Sequence, residues 1–334
     1  MKYLSFLLAA FLVLAAGCSS SEPNAGPSAA EGSASGPTKI RVQLNWYPES
    51  EHGGVYQAKA DETYSEADLQ VEISPGGSQT PVAPQLEFGR SDFGFANADD
   101  VVLARRQGMD IVAVLAAMQN SPRCILVQEN SGVTSLDNLS GMTLQLQPGR
   151  LFVEFMRDKG ILNEVQEVPY QGSVAPLIAD RKVGIQAYSF AEPLLAQQEG
   201  VDVRTLMVSD LGWNPYSSVL ITSGDLIRND PEKVRRFVQA TRIGWQNYLQ
   251  DPALGNEAIL EDNEHGMTAE ALEFGSTGLR GLALPDGMDV ENVGLMSLER
   301  WTTLVEQIDK LEPDASSKVT PEECFTNEFL EPSP

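Results

Sequence analysis

The most chemically varied stretch of the chain is the loop that holds Asn45, Trp46, His52 and Tyr56. A segment of alternating apolar and polar residues precedes it, which is typical of a half-buried strand, and that strand must end at Pro48 because proline cannot donate to a sheet. An amide, aromatic rings and an imidazole that follow a strand are groups that bind small ligands at the carboxyl edge of an α/β sheet. The same residues also suit a surface turn whose tryptophan packs on the core, so both interpretations stay open on the loop alone.

The amino terminus predicts secretion. The apolar run 4–16 follows Lys2, is shorter than the ~20 residues that a membrane-spanning helix needs, and ends in small residues before Cys18. This pattern resembles the lipobox of bacterial lipoproteins and predicts a signal peptide at 1–18 with lipidation of Cys18. The alternative is an ordinary cleaved signal with an incidental cysteine.

Residues 19–37 are almost wholly Ser, Gly, Ala, Pro, Glu and Asn, which predicts a flexible tether. A lipid followed by a tether places the protein outside the cytoplasm, anchored on the periplasmic face of a bacterial cell membrane. We expect it to work at the membrane surface without entering the bilayer.

The composition narrows the class of protein. The chain has 334 residues, of which 42% are hydrophobic, as in globular proteins of about two domains. Its formal charge of −24 argues against nucleic acid as a partner, since phosphates would be repelled. Cys124 and Cys324 are compatible with a disulfide in an oxidising compartment or with buried free thiols.

From residue 38 onward, strand patterns alternate with helix patterns, which predicts parallel βαβ units and an α/β fold. The outline is that of a bilobal periplasmic-binding-protein fold of type II, with two lobes joined by a two-crossing hinge and a ligand between them. The first lobe is predicted to comprise 38–128 plus 219–330, and the second 129–218. A long helix is predicted to begin at Asp230, with Trp245 in its core-facing stripe.

Several motifs occur in an order that resembles the thiamine-pyrimidine binding family, and together they cover about 40–255. They are Leu44-Asn-Trp-Tyr-Pro with His52-Gly-Gly-Val-Tyr-Gln-Ala-Lys59, Gly89-Arg-Ser-Asp-Phe-Gly-Phe-Ala96, the segment 103–114, Ala191-Glu-Pro193, and Asp230-Pro-Glu-Lys-Val-Arg-Arg-Phe with Asp251-Pro252. The family includes solute receptors of bacterial ABC transporters and the fungal enzymes that make the thiamine pyrimidine.

The sequence departs from the enzymes of that family. They carry a sacrificial histidine after the Asp-x-Gly strand, a nearby lysine and a cysteine cluster, whereas this chain has Ala96-Asn-Ala-Asp-Asp100 and Trp213-Asn-Pro-Tyr-Ser217 at those places. We therefore predict no catalytic residues, no enzyme activity and no cofactor. A metal site is not predicted either, because His52 has no second histidine at ligand spacing and His265 lies in an acidic segment.

The resemblance implies a flat heteroaromatic ligand, which needs aromatic faces and a few placed donors and acceptors. Glu192 or Asp99 could accept from a ligand amino group, and Gly77 would let the backbone approach closely. The predicted ligand-binding residues are Asn45, Trp46, His52, Tyr56, Gly77, Asn97, Asp99, Tyr188, Glu192, Trp213 and Tyr216, with Gln147 as a further amide.

The resemblance and the predicted lipid anchor together imply a solute-binding lipoprotein of an ABC importer. We expect a monomer that captures a thiamine pyrimidine precursor and delivers it to permease and ATPase subunits. The alternatives are a receptor for sulfonate, nitrate, taurine or riboflavin, an extracytoplasmic enzyme of pyrimidine or thiamine metabolism, and a sensory receptor.

Overall fold

A computed structural model describes residues 36–285 and 287–330. The predicted signal peptide, the lipidation site at Cys18 and nearly all of the predicted tether lie outside these residues. In the described part of the chain, no helix combines the length and the apolar character needed to cross a bilayer.

Strands and helices alternate along most of the described chain. The strands are β1 (Thr38–Gln43), β2 (Leu69–Ser74), β3 (Phe93–Ala96), β4 (Ile111–Met118), β5 (Arg123–Gln128), β6 (Thr143–Leu146), β7 (Gln166–Pro169), β8 (Val183–Tyr188), β9 (Val203–Met207) and β10 (Ser217–Ser223). The helices are α1 (Gly53–Ala60), α2 (Thr63–Glu66), α3 (Val82–Glu87), α4 (Ala98–Arg106), α5 (Leu151–Asp158), α6 (Ala175–Ala179), α7 (Glu192–Gln198), α8 (Gly224–Asn229), α9 (Pro231–Gln250), α10 (Ala253–Asp262), α11 (Ala269–Ala283), α12 (Leu298–Leu311) and α13 (Pro321–Cys324).

The first sheet has the strand order β2-β1-β3-β10-β4. β1 is parallel to β2 and β3, whereas β10 is antiparallel to β3 and β4. Ile40 and Val42 of β1 are buried and Arg41 between them is exposed, as the alternation in the sequence predicts. Because β1, β2 and β3 are parallel, the loops that follow them leave the sheet at the same edge.

The second sheet repeats this arrangement with the order β7-β6-β8-β5-β9. β6 is parallel to β7 and β8, and β5 is antiparallel to β8 and β9. In each sheet the antiparallel inner strand is the first strand after the chain crosses from the other sheet, and the crossings are residues 119–122 and 208–216. The α/β prediction is confirmed, with the correction that each sheet is mixed rather than wholly parallel.

The first predicted lobe boundary, at residue 128, does not coincide with the first crossing. That boundary predicts β5 in the first lobe, yet β5 pairs with β8 and β9 of the second sheet. Its residues Cys124 to Val127 are fully buried, and an apolar run of this kind does not indicate which of two sheets the strand joins. The division of the body into two lobes that move about a hinge is kept as a proposal, with the first crossing at 119–122.

Helix α9 begins as predicted, with the Asp230 side chain accepting a hydrogen bond from the Lys233 backbone N–H at 3.1 Å. Trp245 is fully buried, which confirms its position in the core. α9 packs on α1 so closely that a Cβ on Gly54 would lie 2.3 Å from Cγ of Trp245. Gly54 therefore allows α1 and α9 to pack at this distance, which a residue with a side chain would prevent.

Helix α12 joins the two halves of the body, since it packs against α4 beside the first sheet and α5 beside the second. Its Trp301 is fully buried and lies in the same apolar cluster as Trp213 and Tyr216. Both cysteines in the described part of the chain, Cys124 and Cys324, are buried free thiols rather than partners in a disulfide.

Candidate functional site

A cavity of about 890 Å³ lies at the loops that follow the parallel strands of both sheets. From the first sheet its walls include residues 45–47, 49 and 51 after β1 and 77–84 after β2. From the second sheet they include residues 147, 148 and 150 after β6 and 170–172 after β7. This volume falls within the range of roughly 300–1,000 Å³ that small-molecule sites occupy.

Aromatic rings line the cavity from both sheets. Trp46 and Tyr47 come from the first, with ring centroids 5.1 Å apart, and Tyr170 and Tyr188 come from the second. All four are partly exposed rather than sealed in the core. Their faces can therefore contact a flat ligand.

Glu192 begins α7 and is fixed from two directions. Its Oε2 accepts from the Tyr188 backbone N–H at 2.8 Å, and its Oε1 accepts from the Tyr170 hydroxyl at 3.1 Å. Burial nevertheless raises the pKa of Glu192 above its usual value. The result is a rigid acceptor on the wall of the cavity.

The loop after β1 contains a linked trio of polar side chains. Asn45 donates from Nδ2 to Oε1 of Glu51 at 3.4 Å, and its Oδ1 lies 2.9 Å from Nε2 of His52. Glu51 and Asn45 line the cavity, whereas His52 is fully buried behind them. Burial lowers the pKa of His52 to about 3, so its imidazole is neutral at pH 7.

The acidic residues of this loop hold their protons unusually strongly. Burial raises the pKa of Glu51 to about 7, against an opposing effect of Arg123. Burial, followed by repulsion from Glu51 and Glu192, raises the pKa of Glu49 well above its usual value. This end of the cavity is thus rich in carboxyl groups without carrying a full negative charge on each.

Asn97 connects the two halves of the site. Its Oδ1 accepts from the Ser217 hydroxyl at 2.6 Å, and its Nδ2 lies 3.4 Å from the Tyr188 hydroxyl. Asn97 lines the cavity, whereas Asp99, in the first turn of α4, is buried and does not line it. Burial and the adjacent Asp100 raise the pKa of Asp99 to about 6.

Two arginines that the sequence analysis did not select also line the cavity. Arg123 lies over the rings of Phe152 and Tyr188, at 4.9 and 4.4 Å from their centroids. Arg150 forms an ion pair with Asp100 at 3.0 Å. Arg123 begins an apolar strand, and a basic residue at that position in so acidic a chain is the one sequence signal that could have identified it.

Of the predicted ligand-binding residues, six line the cavity and five do not. The first group is Asn45, Trp46, Gly77, Asn97, Tyr188 and Glu192, and the additional candidate Gln147 also lines it. The second group is His52, Tyr56, Asp99, Trp213 and Tyr216.

The aromatic members of the second group are core residues. Tyr56 is 1% exposed on α1, and its hydroxyl donates to Asp262. Trp213 packs against Phe155 with centroids 5.3 Å apart. The Tyr216 hydroxyl accepts from the Ser297 backbone N–H at 2.9 Å at the start of α12. These three are dropped from the proposed ligand-contacting set because their rings fill the interior.

Gly77 acts through a neighbour. A Cβ at this position would lie 3.3 Å from the Tyr47 ring, so glycine leaves that ring the room to stand at the cavity wall. Among the described residues, no group of three or more His, Cys, Asp or Glu side chains is arranged to hold a metal ion.

Comparison with known sequences finds both binding proteins and enzymes. The riboflavin-binding protein RibY of Chloroflexus aurantiacus is 25% identical, over 96% of this chain and 95% of its own length. A 4-amino-5-hydroxymethyl-2-methylpyrimidine phosphate synthase of Legionella pneumophila is 21% identical, over 89% of this chain and 94% of its own. A formylaminopyrimidine-binding protein of Halalkalibacterium halodurans is 23% identical, over 67% of this chain and 71% of its own.

Solved structures share the architecture. The ligand-binding component of an ABC-type import system from Staphylococcus aureus has a TM-score of 0.65 at 14% identity, covering 88% of this chain and 98% of that chain. The aliphatic sulphonate-binding protein SsuA of Escherichia coli has a TM-score of 0.64 at 14% identity, covering 86% and 91%. At these identities the likeness concerns the fold, which is the bilobal type II periplasmic-binding-protein fold predicted from the sequence.

The family described as NMT1/THI5 like matches residues 49–254, which is more than half of the 334-residue chain. This match covers the family motifs from His52 to Pro252, whereas the segment Leu44 to Pro48 lies just before it, and the chain belongs to the NMT1/THI5-like family.

Proposed function

We propose that this protein is the extracytoplasmic solute-binding component of an ABC importer and that its ligand is an aminopyrimidine precursor of thiamine. The observation that carries the proposal is the cavity at the edges of both sheets, where aromatic faces, amides and carboxyl groups converge. An aminopyrimidine ring would lie against Trp46, and its amino group would donate to a carboxylate such as Glu192.

Riboflavin is the second candidate ligand, and the size of the cavity favours it. A volume of about 890 Å³ is much larger than a single pyrimidine ring requires and is ample for a three-ring flavin. RibY, which is named as a riboflavin-binding protein, also matches this chain over almost its whole length.

Sulfonate, nitrate and taurine fit the site less well. Glu49, Glu51 and Glu192 line the cavity beside Arg123 and Arg150, so an anion would meet the ionised fraction of three carboxyl groups as well as the two guanidinium groups. The sulfonate-binding structures share only the fold at 14% identity, so they do not favour this ligand class.

An enzyme of pyrimidine metabolism is the alternative from a different class. Of the described residues that line the cavity, none is a histidine, a lysine or a cysteine, which are the groups that the synthases of the family use. A purified protein that returns its bound ligand chemically unchanged would support the binding proposal, whereas turnover would support the enzyme.

Calorimetric titration with hydroxymethylpyrimidine, formylaminopyrimidine, riboflavin, taurine and nitrate tests the ligand. We expect binding of the aminopyrimidines; binding of riboflavin alone would select the second candidate. Binding only of taurine or nitrate would contradict the heteroaromatic assignment while leaving a solute receptor.

The anchor and the delivery step complete the proposal. The signal peptide, Cys18 and the tether would hold the protein at the membrane, and the loaded protein would dock on a permease. Ligand-dependent stimulation of ATP hydrolysis by the reconstituted permease and ATPase would support import. A receptor that only signals would leave that rate unchanged.

A further inference from the structure

Glu51 has one carboxyl oxygen engaged and the other without a partner. The residue lies in the short turn Ser50–His52 and is only 1% exposed. Its Oε1 accepts from Asn45, while Oε2 has no hydrogen-bond partner among the described residues. A buried carboxyl oxygen left unpaired is strongly unfavourable, and since Glu51 lines the cavity, a ligand group can satisfy it.

Asn45 and His52 fix the direction of this carboxyl group. Because the Asn45 amide donates from Nδ2 to Glu51, its Oδ1 faces His52 at 2.9 Å and must accept from that ring. His52 therefore carries its proton on Nε2, and the donation runs from His52 through Asn45 to Glu51. A fully buried imidazole thus holds the amide, and the amide holds Oε1.

Arg123 supplies the opposite charge from the second sheet. Its Nη2 donates to the Tyr188 hydroxyl at 3.2 Å, and the rings of Tyr188 and Phe152 hold the guanidinium in place. Within the described residues, Arg123 has no carboxylate at ion-pair distance. It lines the same cavity as Glu51, and a guanidinium has N–H groups to spare for a ligand.

We propose that Glu51 and Arg123 together recognise a ligand edge on which an N–H donor stands beside an acceptor atom, with Glu51 taking the donor and Arg123 the acceptor. Asn45 and His52 are positioning residues in this arrangement. The inference rests on the proposed function and narrows its ligand class. The amino group and ring nitrogen of an aminopyrimidine form such an edge, as do the N3–H and carbonyls of a flavin, whereas sulfonate and nitrate offer acceptors only.

Binding should release protons near neutral pH. Burial raises the pKa of free Glu51 to about 7, and a ligand N–H donated to Oε2 favours the ionised form. At pH 7 a protonated fraction of Glu51 therefore loses its proton when the ligand binds. Glu51 interacts electrostatically with five other titratable groups, which are His52, Glu49, Glu192, Arg123 and Tyr188.

The test compares the purified protein with Glu51→Gln and with Glu72→Gln, an exposed glutamate on β2, as the matched control. The probes are 4-amino-5-hydroxymethyl-2-methylpyrimidine with its analogue lacking the amino group, and riboflavin with its N3-methyl derivative. Calorimetry in two buffers of different ionisation enthalpy gives both the affinity and the protons released. Circular dichroism and thermal melting confirm that each variant is folded.

We expect Glu51→Gln to weaken binding of the intact probe by about tenfold or more, the effect of losing a charge-assisted hydrogen bond. Proton release should disappear with it, and the modified probe should bind the wild type and Glu51→Gln equally. Arg123→Lys should also weaken the intact probe, because a lysine lacks the planar fork. His52→Asn should lower affinity and shift the pH profile of binding while the protein stays folded.

Two failures are distinguishable. If the wild type binds none of these heteroaromatic probes, the proposed function fails and this inference fails with it. If the wild type binds an intact probe and Glu51→Gln binds it with the same affinity and the same proton release, the inference alone is overturned.

Discussion

Trp46 is the residue on which the aromatic part of the site depends most directly. It lies at the cavity wall and is partly exposed, so its ring is available to a ligand without being part of the sealed core. Trp245 and Trp301, in contrast, are fully buried.

Trp46→Ala should weaken ligand binding by about 1–3 kcal/mol, roughly 5- to 150-fold in Kd, because an aromatic contact face is lost. The melting temperature of the free protein should stay nearly unchanged. Phe88→Ala is the matched control, since Phe88 is 73% exposed and does not line the cavity. Unchanged affinity in Trp46→Ala would remove Trp46 from the site.

Glu51→Gln should change the pH dependence of folding stability. The pKa of Glu51 in the folded protein is about 7, above its ordinary value of 4.5, so the folded state keeps a proton that the unfolded chain releases. The stability from this group is fully present below about pH 4.5 and is lost as the pH rises through about 7. As the pH rises from 5 to 8, the folding stability of the variant should therefore increase relative to that of the wild type.

Urea unfolding of the wild type and Glu51→Gln at pH 5 and pH 8 measures the change in their relative free energy of unfolding. This change can reach about 1.4 kcal/mol per unit of pKa shift. Glu72→Gln should show no such trend because Glu72 is exposed. A stability gap between wild type and Glu51→Gln that is the same at pH 5 and pH 8 would show that Glu51 does not titrate in this range.

Sequence reasoning found the site residues that combine a ligand-binding side chain with a position at the end of a strand. Asn97 directly follows β3, Trp46 and Glu192 lie within four residues of the ends of β1 and β8, and all three line the cavity. Glu51 is one of 47 acidic residues, and nothing local distinguishes it from a solvated glutamate. Arg123 reaches the cavity only because β5 joins the second sheet, a pairing that no short-range pattern specifies.

At the level of helices and strands, α1 and α9 pack closely at two glycines, one in each helix. Gly54 faces Trp245, and a Cβ on Gly244 would lie 2.2 Å from the carbonyl oxygen of Gly54. The two helices can approach this closely only because neither position carries a side chain.

Gly54→Ala should destabilise the protein by about 1–3 kcal/mol, as overpacking does in a filled core. Gly281→Ala in α11 is the control: no atom lies within 4 Å of its added Cβ, and alanine should stabilise the helix by up to about 1 kcal/mol. Chemical denaturation measures both. An equal response of the two variants would contradict the packing argument.

The sequence predicts the positions of helices and strands better than it predicts which elements pack against one another. The start of α9 at Asp230 and the alternation in β1 follow from local rules that the structure obeys. Tyr56, Trp213 and Tyr216 could not be assigned in the same way, because an aromatic side chain suits a core and a ligand wall equally. Only the packing of α1 and α12 places their rings inside the body.

For the molecule as a whole, the proposed lipid anchor at Cys18 would determine where the protein works. If the proposal of a lipid anchor is right, Cys18→Ala should shift the protein from the membrane fraction to the soluble extracytoplasmic fraction, because Cys18 would carry both the processing site and the lipid. Fractionation and labelling with a fatty-acid analogue measure the effect, and Ser19→Ala is the neighbouring control. Membrane retention of unlabelled Cys18→Ala would contradict a lipid anchor at this residue.

The return of the chain to the first sheet at β10 has a consequence for how the protein folds during synthesis. The second sheet is built from one continuous segment, 123–207, whereas β10 must insert between β3 and β4 of the first sheet after that segment has been produced. Until then, β3 and β4 present unpaired edges, which are templates for misassociation between chains. A substitution that slows assembly of the second sheet would thus reduce the yield of folded protein while leaving the finished molecules fully competent to bind.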